Sequence, residues 1–150
     1  YSPKHLEDLL DIYQPDIIQA PFNVIDRSLF SSGWLDKLLN NQIEVHARSI
    51  FLQGLLLLKR NEIPIEFSKW ERIWSGWSDW NEVNRVEPIQ TALNFVLSFK
   101  QFSKIIVGVD NYNQLLSLIE SVGEVNTNLP DSLCSEDELL INPQNWNSFK

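Results

Sequence analysis

The sequence predicts an α/β fold with a small parallel sheet, for three reasons. Helical segments alternate with short apolar segments, an order typical of βαβ units with parallel strands. The β-branched run within Lys104–Val109 is continuous rather than alternating, which indicates a strand buried on both faces. With 150 residues, 43% of them hydrophobic and only 5 Gly and 7 Pro, the chain has the composition of one globular domain.

Hydrophobic periodicity and turn residues predict the individual elements. Each helix repeats its apolar residues at spacings of three and four, and each strand is a short apolar run. Ser2 and Pro3 have the residue types of an N-cap and a first helical position. In chain order we expect a helix Ser2–Tyr13, a strand Ile17–Ala20 stopped by Pro21, a loop 22–29, a helix Phe30–Asn40, a strand Ile43–Arg48, an apolar loop Ser49–Lys59 with room for one helical turn, a helix with Phe67, Trp70, Trp74 and Trp77 on one face, a helix from Glu87 to Leu97, the strand Lys104–Val109 and a helix from Asp110 to Val122.

Three parallel strands leave both edges of an open sheet exposed. An isolated domain rarely leaves parallel apolar edges of this kind, so we expect an incomplete α/β domain. The sequence also begins at Tyr1 and has no methionine, which favours a fragment of a longer protein. The alternative is that methionines in modified form are absent from the written sequence.

The charge balance excludes two classes of partner. The sequence has 12 Lys and Arg against 20 Asp and Glu, a net charge of −8. Neither nucleic acid nor an anionic membrane is expected, because both attract basic clusters. No apolar run reaches the length of a membrane span. A single cysteine, Cys134, fits a reducing compartment, so we expect a cytoplasmic protein.

The residue types most often used in catalysis are sparse. His5 lies on a predicted helix and His46 in a predicted strand, with no partner at metal-ligand spacing, so no metal site is expected. Cys134 has no histidine near it in sequence to act as a base. The tryptophan stripe could stack on a sugar, but its helical spacing favours packing against neighbouring elements.

Two features stand out against this background. The turn Gly108–Asn111 joins the strongest strand to a helix N-terminus, where free backbone N–H groups and the helix dipole suit a phosphate. The alternative is a simple capped turn. Gln19 is a carboxamide at the carboxyl end of an apolar strand, the end at which α/β barrels place functional groups.

Five segments resemble the aldo/keto reductases, in family order. D-I-I-Q-A-P-F-N-V-I-D-R (16–27) resembles their sixth-strand segment, and E-V-H-A-R-S-I-F-L-Q-G-L-L (44–56) their seventh strand and following loop. P-I-Q-T-A-L-N-F-V-L-S-F (88–99) and K-I-I-V-G-V-D-N-Y-N-Q-L (104–115) resemble the helix, eighth strand and phosphate-side helix. N-P-Q-N-W (142–146) is similar to the tail of a bacterial subgroup.

The resemblance implies a TIM (β/α)8 barrel of which this chain is the C-terminal half, strands 6–8 with their helices. Residues 1–123 would form the half-barrel and residues 124–150 an acidic tail, holding about half of the net charge, that packs on it. The strand Ile43–Arg48 would lie between Ile17–Ala20 and Ile105–Val109. The family's catalytic Asp, Tyr, Lys and His come from the first four βα units and have no counterpart here, so no catalytic residue is assigned.

The same resemblance implies much of a nicotinamide-cofactor site. Gln19 matches the glutamine that binds the nicotinamide carboxamide, and Arg48 stands where many members stack a tyrosine on the nicotinamide ring. Ser49, Phe51, Gln53 and Gly54 match the loop around the pyrophosphate, and Gly108, Val109, Asp110 and Gln114 match the adenosine side. Ser117 and Leu118 replace the usual Glu-Asn near the adenine. Basic residues for a 2′-phosphate are missing and Asp110 would repel one, which favours NAD over NADP.

We therefore expect part of an NAD(P)-dependent aldo/keto reductase, an oxidoreductase that reduces a small-molecule aldehyde or ketone by hydride transfer. This chain would supply the cofactor-binding half and be inactive alone. The alternative is a non-enzymatic truncated or designed half-barrel that self-associates. In either case the open edges predict a homodimer or a requirement for the missing N-terminal half.

Overall fold

The computed structural model describes residues 5–149 of the chain. The expected N-cap at Ser2 and Pro3 lies outside the described residues. No helix in the described part is both long and apolar enough to cross a membrane. The elements are α1 (His5–Ile12), β1 (Ile17–Pro21), α2 (Ser28–Ser31), α3 (Trp34–Asn40), β2 (Glu44–Arg48), α4 (Glu71–Asn84), α5 (Pro88–Ser98), β3 (Lys104–Ile105), α6 (Tyr112–Glu120) and α7 (Glu138–Ile141), with short 3-10 helices at Leu52–Leu57, Arg60–Glu62, Ile65–Trp70, Asp131–Leu133 and Pro143–Phe149.

The three strands form one parallel sheet in the order β1-β2-β3. Ile17 pairs with Glu44 and Pro21 with Arg48, so β1 and β2 are in register along their whole length. On one face Ile18, Ala20, Val45 and Ala47 are buried under the helices, in one core with Leu35 and Leu38 of α3. The predicted α/β class and the central position of the second strand are confirmed.

The third strand is much shorter than predicted. Only Lys104 and Ile105 are in the sheet, and the ladder ends where the Ile106 N–H donates to the Ala47 carbonyl at 2.8 Å. The prediction that Lys104–Val109 is buried on both faces is wrong, because Ile106, Val107 and Val109 are 39–40% exposed. Within the described chain β3 has a partner on one side only, so the residues after Ile105 have no second strand to pair with or pack against.

Two predicted helices are divided differently in the structure. The expected helix Phe30–Asn40 is two helices, α2 and α3, separated at Gly33, whose φ of 77° is left-handed and ends the first of them. The aromatic stripe begins in a 3-10 helix, Ile65–Trp70, and continues in α4. The change from three to 3.6 residues per turn does not disturb the stripe, because spacings of three and four suit both.

Tryptophan and phenylalanine side chains fill much of the core. Trp74 and Trp77 are 1% and 3% exposed, and their indole N–H groups donate to the Phe67 and Leu56 carbonyls at 2.9 and 3.0 Å. The packing interpretation of the stripe is confirmed, since rings this buried offer no platform to a sugar. Phe22, in the buried loop after β1, stacks with Phe95 of α5 at 5.7 Å between ring centroids.

The segment after α6 packs on the same core. Leu129, Leu133, Leu140 and Ile141 are all buried in it. Asp137 also ties the segment to the aromatic stripe: it accepts from the Leu139 N–H at the start of α7, and from the Trp70 indole N–H at 3.1 Å.

Apolar side chains remain exposed on both flanks of the sheet. On the β3 side, α6 exposes Tyr112, Leu115 and Ile119, the last of them 62% exposed, and Val122 is exposed just after the helix. On the β1 side, Ile12 at the end of α1 is 87% exposed. A (β/α) array would cover these faces with its next units.

A buried amide of α5 fixes the end of α6. The Asn94 amide nitrogen donates to the Ser121 carbonyl at 2.7 Å, and its oxygen accepts from the Gly123 N–H at 3.1 Å. Asn94→Ala leaves the buried Ser121 carbonyl and the partly buried Gly123 N–H without this partner, so we expect a loss of about 1–3 kcal/mol in the free energy of unfolding, measured by urea denaturation. Exposed Asn61→Ala is the control and should change it by less than about 0.5 kcal/mol. Equal effects of the two substitutions would contradict this role.

Candidate functional site

A cavity of about 900 Å³ lies at the carboxyl ends of β2 and β3. One wall is the segment 48–54, which leaves β2, and the other is the segment 106–111, which leaves β3 and enters α6. Parallel strands bring the loops at their carboxyl ends to one edge of the sheet, where α/β proteins bind their ligands.

Nine of the ten residues that the family resemblance assigns to a cofactor line this cavity. They come from two segments more than fifty residues apart in the sequence, so the fold is what brings them together. The nine are Arg48, Ser49, Phe51, Gln53, Gly54, Gly108, Val109, Asp110 and Gln114.

The tenth residue, Gln19, lies outside the cavity. It is exposed, and it pairs in register with His46 of β2. Successive side chains of a strand alternate between faces, so Gln19, His46 and Arg48 belong to the same face. Arg48 is the residue of that face that reaches the cavity wall.

The first wall has an unusual backbone. Ser49, Leu52 and Gln53 have φ values of 56°, 46° and 53°, in the left-handed region that residues other than glycine rarely adopt, and Gly54 follows at 90°. Such residues persist only where the surroundings hold them, and they cluster at binding sites. The buried side chains of Leu52, Leu55 and Leu56 anchor this segment in the core.

Asn23, which the sequence analysis did not single out, supports this wall. Its side chain is fully buried in the loop after β1, and its amide nitrogen donates to the Ser49 carbonyl at 3.1 Å. Its oxygen accepts from the N–H groups of Ile25 and Asp26, both at 2.9 Å. Asparagine directly after a strand and an aromatic residue is a turn-forming signal that could have drawn attention to it. The Ser49 hydroxyl also accepts from Arg48 Nη1 at 3.2 Å.

The second wall is a capped βα turn. The Asn111 side chain accepts from the Gln114 N–H at 3.0 Å, and the Gln114 side chain reaches back to accept from the Asp110 N–H at 2.7 Å. In this structure Gly108–Asn111 therefore forms a capped turn, and phosphate binding at this turn stays a prediction. A phosphate could use the Asp110 N–H only if it displaced the Gln114 side chain.

The cavity also contains residues that the sequence analysis did not assign to the site. Ser117 and Leu118, which replace the usual Glu-Asn of the family, also line the cavity. The apolar surface of the cavity comes mainly from side chains of the two loops and of α5. The hydrophobic periodicity of the sequence cannot distinguish these side chains from core residues. The additional lining residues are Ile50, Leu57, Ile89, Ile106, Val107, Asn111 and Asn113.

The histidine and cysteine candidates lie elsewhere. His46 is buried in β2, with Nε2 2.8 Å from Glu44 Oε1. Cys134 is partly buried, and burial raises the pKa of its thiol, which keeps it in the poorly nucleophilic protonated form at neutral pH. In the part of the chain that the structure describes, no group of three or more His, Cys, Asp or Glu side chains is arranged to hold a metal ion.

Comparisons with known proteins give a likeness of fold. No family model matches the chain, and no curated protein matches it. The solved structures that are similar include two of the aldo-keto reductase AKR11C1 from Bacillus halodurans. The holo form has 12% sequence identity and a TM-score of 0.63, and the apo form 13% and 0.58. Each alignment covers 88% of this chain and 46% of that one, so the chain spans about half the length of these structures. The chain thus has the fold of part of an aldo-keto reductase.

The buried Asp26, whose N–H donates to the Asn23 side chain, should make the stability of the chain depend on pH. Its carboxylate is buried and accepts from the Ser28 N–H and hydroxyl, and burial is the main cause that raises its pKa. Because its pKa is raised, the Asp26 carboxyl binds a proton more tightly in the folded state than in the unfolded state. Above the folded-state pKa the ionised carboxylate therefore lowers the free energy of unfolding. This destabilisation disappears as the pH falls through that pKa and the carboxyl becomes protonated. Asp26→Asn, which keeps the acceptor oxygen, should therefore raise the free energy of unfolding at pH 7, and the gain should shrink as the pH is lowered. Exposed Asp79→Asn should show no such trend in parallel urea titrations, and a gain for Asp26→Asn that is constant with pH would contradict the assignment.

Proposed function

We propose that this chain is the cofactor-binding half of an NAD(P)-dependent oxidoreductase of the aldo/keto reductase type. The cavity at the carboxyl ends of β2 and β3 would hold the nicotinamide dinucleotide. The whole enzyme would reduce a small aldehyde or ketone, with acid/base residues from βα units that this sequence does not contain.

The observation that carries the proposal is the convergence on one cavity. The residues were assigned to a cofactor from the sequence, in two separated segments, and nine of them line the same 900 Å³ space. Structural core residues matched to a family by chance would be distributed through the molecule. The likeness of fold to aldo-keto reductases supports the same proposal independently of these residues.

The residues present suit the chemical groups of a dinucleotide. The Arg48 guanidinium is planar and can stack on a nicotinamide ring, while its charge favours the pyrophosphate side of the cavity. Gly108 has open space where a side chain would begin, so a ligand can approach the backbone there. The N-terminus of the nine-residue helix α6 adds partial positive charge for a phosphate. The bound cofactor would supply the hydride, and these residues would orient it.

Asp110 provides the test of cofactor choice. Its exposed carboxylate lines the cavity and would repel a 2′-phosphate. We expect the chain to bind NADH more tightly than NADPH, by about tenfold or more, since a charge interaction of this kind is worth on the order of 1.4 kcal/mol. Asp110→Arg should reverse the preference.

Tryptophan-to-nicotinamide energy transfer in titrations of wild type and variant with both cofactors would measure the two dissociation constants. Asp79→Arg, an equal charge change on exposed α4 outside the cavity, is the control and should leave the preference unchanged. The same preference in wild type and Asp110→Arg would remove Asp110 from the site. Absence of saturable binding of either cofactor would overturn the proposed function.

The second candidate is a non-enzymatic half-barrel that self-associates, and the exposed apolar flanks favour it. Ile12 on the β1 side and the apolar face of α6 on the β3 side lie beside open strand edges. Pairing of the β1 edge of one copy with the β3 edge of another, around a two-fold axis, would cover both flanks.

We therefore expect the purified chain to be a homodimer at tens of micromolar, roughly the range in which exposed edges associate. Light scattering coupled to size-exclusion chromatography would give the mass. Ile119→Glu on α6 together with Val122→Glu just after it should shift the population to monomer, whereas Glu120→Lys on the same helix should not. A folded wild-type monomer at that concentration would contradict this expectation.

A further inference from the structure

The first wall of the cofactor cavity, the segment 48–54, begins with a turn that is held by a side chain from another loop. The Ser49 carbonyl accepts from the Leu52 N–H at 2.9 Å and from the Asn23 side-chain amide at 3.1 Å. The bond from Leu52 moves with the turn, because both of its partners belong to the turn. The bond from Asn23 comes from the loop after β1, so it fixes the Ser49 peptide group relative to the sheet.

The Asn23 side chain is itself rigidly placed. It is fully buried, and its oxygen accepts from the N–H groups of Ile25 and Asp26, both at 2.9 Å. Because the oxygen faces these two donors, the amide nitrogen is the group that is turned toward the Ser49 carbonyl. Asn23 is not among the described residues that line the cavity, so it can affect a ligand there only through the first wall.

The turn that Asn23 holds has an unfavourable backbone conformation. Ser49, Leu52 and Gln53 have φ values of 56°, 46° and 53°, a region of higher energy for residues that carry a Cβ. Buried Ile50 and Leu52 anchor the residues that follow Ser49. The Ser49 side chain is small and only partly buried, so hydrogen bonds fix its peptide group more than packing does.

The conformation of Ser49 determines where the cavity lining lies. Ser49, Phe51, Gln53 and Gly54 all line the cavity and follow β2 directly. If Ser49 relaxed to a right-handed or extended conformation, the chain would leave β2 in another direction and these residues would move with it. A ligand would then bind only the fraction of molecules with the wall in place, and its apparent affinity would fall by that fraction.

We propose that Asn23 is a positioning residue for the cofactor, which keeps the segment 48–54 in its ligand-binding shape without contacting the ligand. The inference rests on the proposed function, because the ligand concerned is the nicotinamide dinucleotide. It makes the loop after β1 part of the functional site, although Asn23 lies behind the wall and not in the cavity.

Asn23→Asp separates this role from the role of Asn23 in its own turn. The carboxylate keeps an oxygen for the Ile25 and Asp26 N–H groups but has no proton to donate to the Ser49 carbonyl. In the free variant we expect hydrogen–deuterium exchange of the Leu52 amide to be faster by about fivefold or more, with 106–114 unchanged. The Kd for NADH, from tryptophan-to-nicotinamide energy transfer, should rise by about fivefold or more. The Kd for adenosine monophosphate, from displacement of NADH, should not change, because this ligand needs only the second wall.

Two further variants exclude a general loss of stability as the cause. Asn23→Ser introduces no buried charge: its hydroxyl can accept from the same N–H groups but is too short to reach the Ser49 carbonyl, so it should show the same losses. Asn81→Asp is the matched control at a buried amide of α4. It keeps the oxygen that accepts from the Thr91 hydroxyl and loses the donor to the Trp77 carbonyl. It should lower the free energy of unfolding and leave the Kd for NADH unchanged.

The outcomes distinguish this inference from the proposed function. If wild type binds NADH and both Asn23 variants bind it equally well, the inference is overturned and the proposed function stands. Equal losses of affinity for NADH and adenosine monophosphate, or an equal loss in Asn81→Asp, would also overturn it, since the cause would then be general destabilisation. Failure of both Asn23 variants to fold, judged by circular dichroism, would make Asn23 a residue of the fold alone. Absence of saturable NADH binding by wild type would overturn the proposed function and this inference with it.

Discussion

The structure depends on the pairing of β2 with a parallel neighbour on each side. Arg48 of β2 pairs with Pro21, the last residue of β1, and Ala47 of β2 pairs with Ile105 of β3. The loops that follow all three strands must then emerge at one edge of the sheet. The Asn23 amide extends that connection beyond the strands by holding the Ser49 carbonyl, so the loop after β1 supports the loop after β2.

The same pairing determines which strand edges stay open in the described chain. A central strand with two partners is satisfied, but β1 and β3 each have one open edge within the described chain. The helices beside those edges bury only part of their apolar surface, as the exposed Ile12 and Ile119 illustrate. The described chain therefore has a buried core and apolar flanks that stay exposed, and its likeness to an aldo-keto reductase structure covers 46% of that chain.

Much of this could be read from the sequence, because the signals were strong and local. The β-branched and apolar runs located the strands, and the three-and-four spacing of Trp70, Trp74 and Trp77 located a packed helical face. The candidate cofactor residues that line the cavity were found through the family resemblance, since nothing in their spacing alone connects Gly54 with Gly108.

What could not be read depends on tertiary context. The end of β3 after Ile105 is set by the absence of a second strand beside it, whereas the sequence of Ile106 and Val107 favours a longer strand. The left-handed backbone at Ser49, Leu52 and Gln53 runs against the preference of these residue types, and it follows from the buried leucines and from Asn23. The hydrogen bond from the Asp110 N–H to the Gln114 side chain, which occupies an N–H group that a ligand could otherwise use, is likewise a property of the folded turn.

The central claim is that two separated segments form one dinucleotide site. Hydrogen–deuterium exchange of the chain with and without NADH tests it most directly, because it reports each segment independently. The account predicts slower exchange in both 48–54 and 106–114 when NADH is present, with α4 unchanged as an internal reference. Protection of only one of these segments, or of neither, would contradict it.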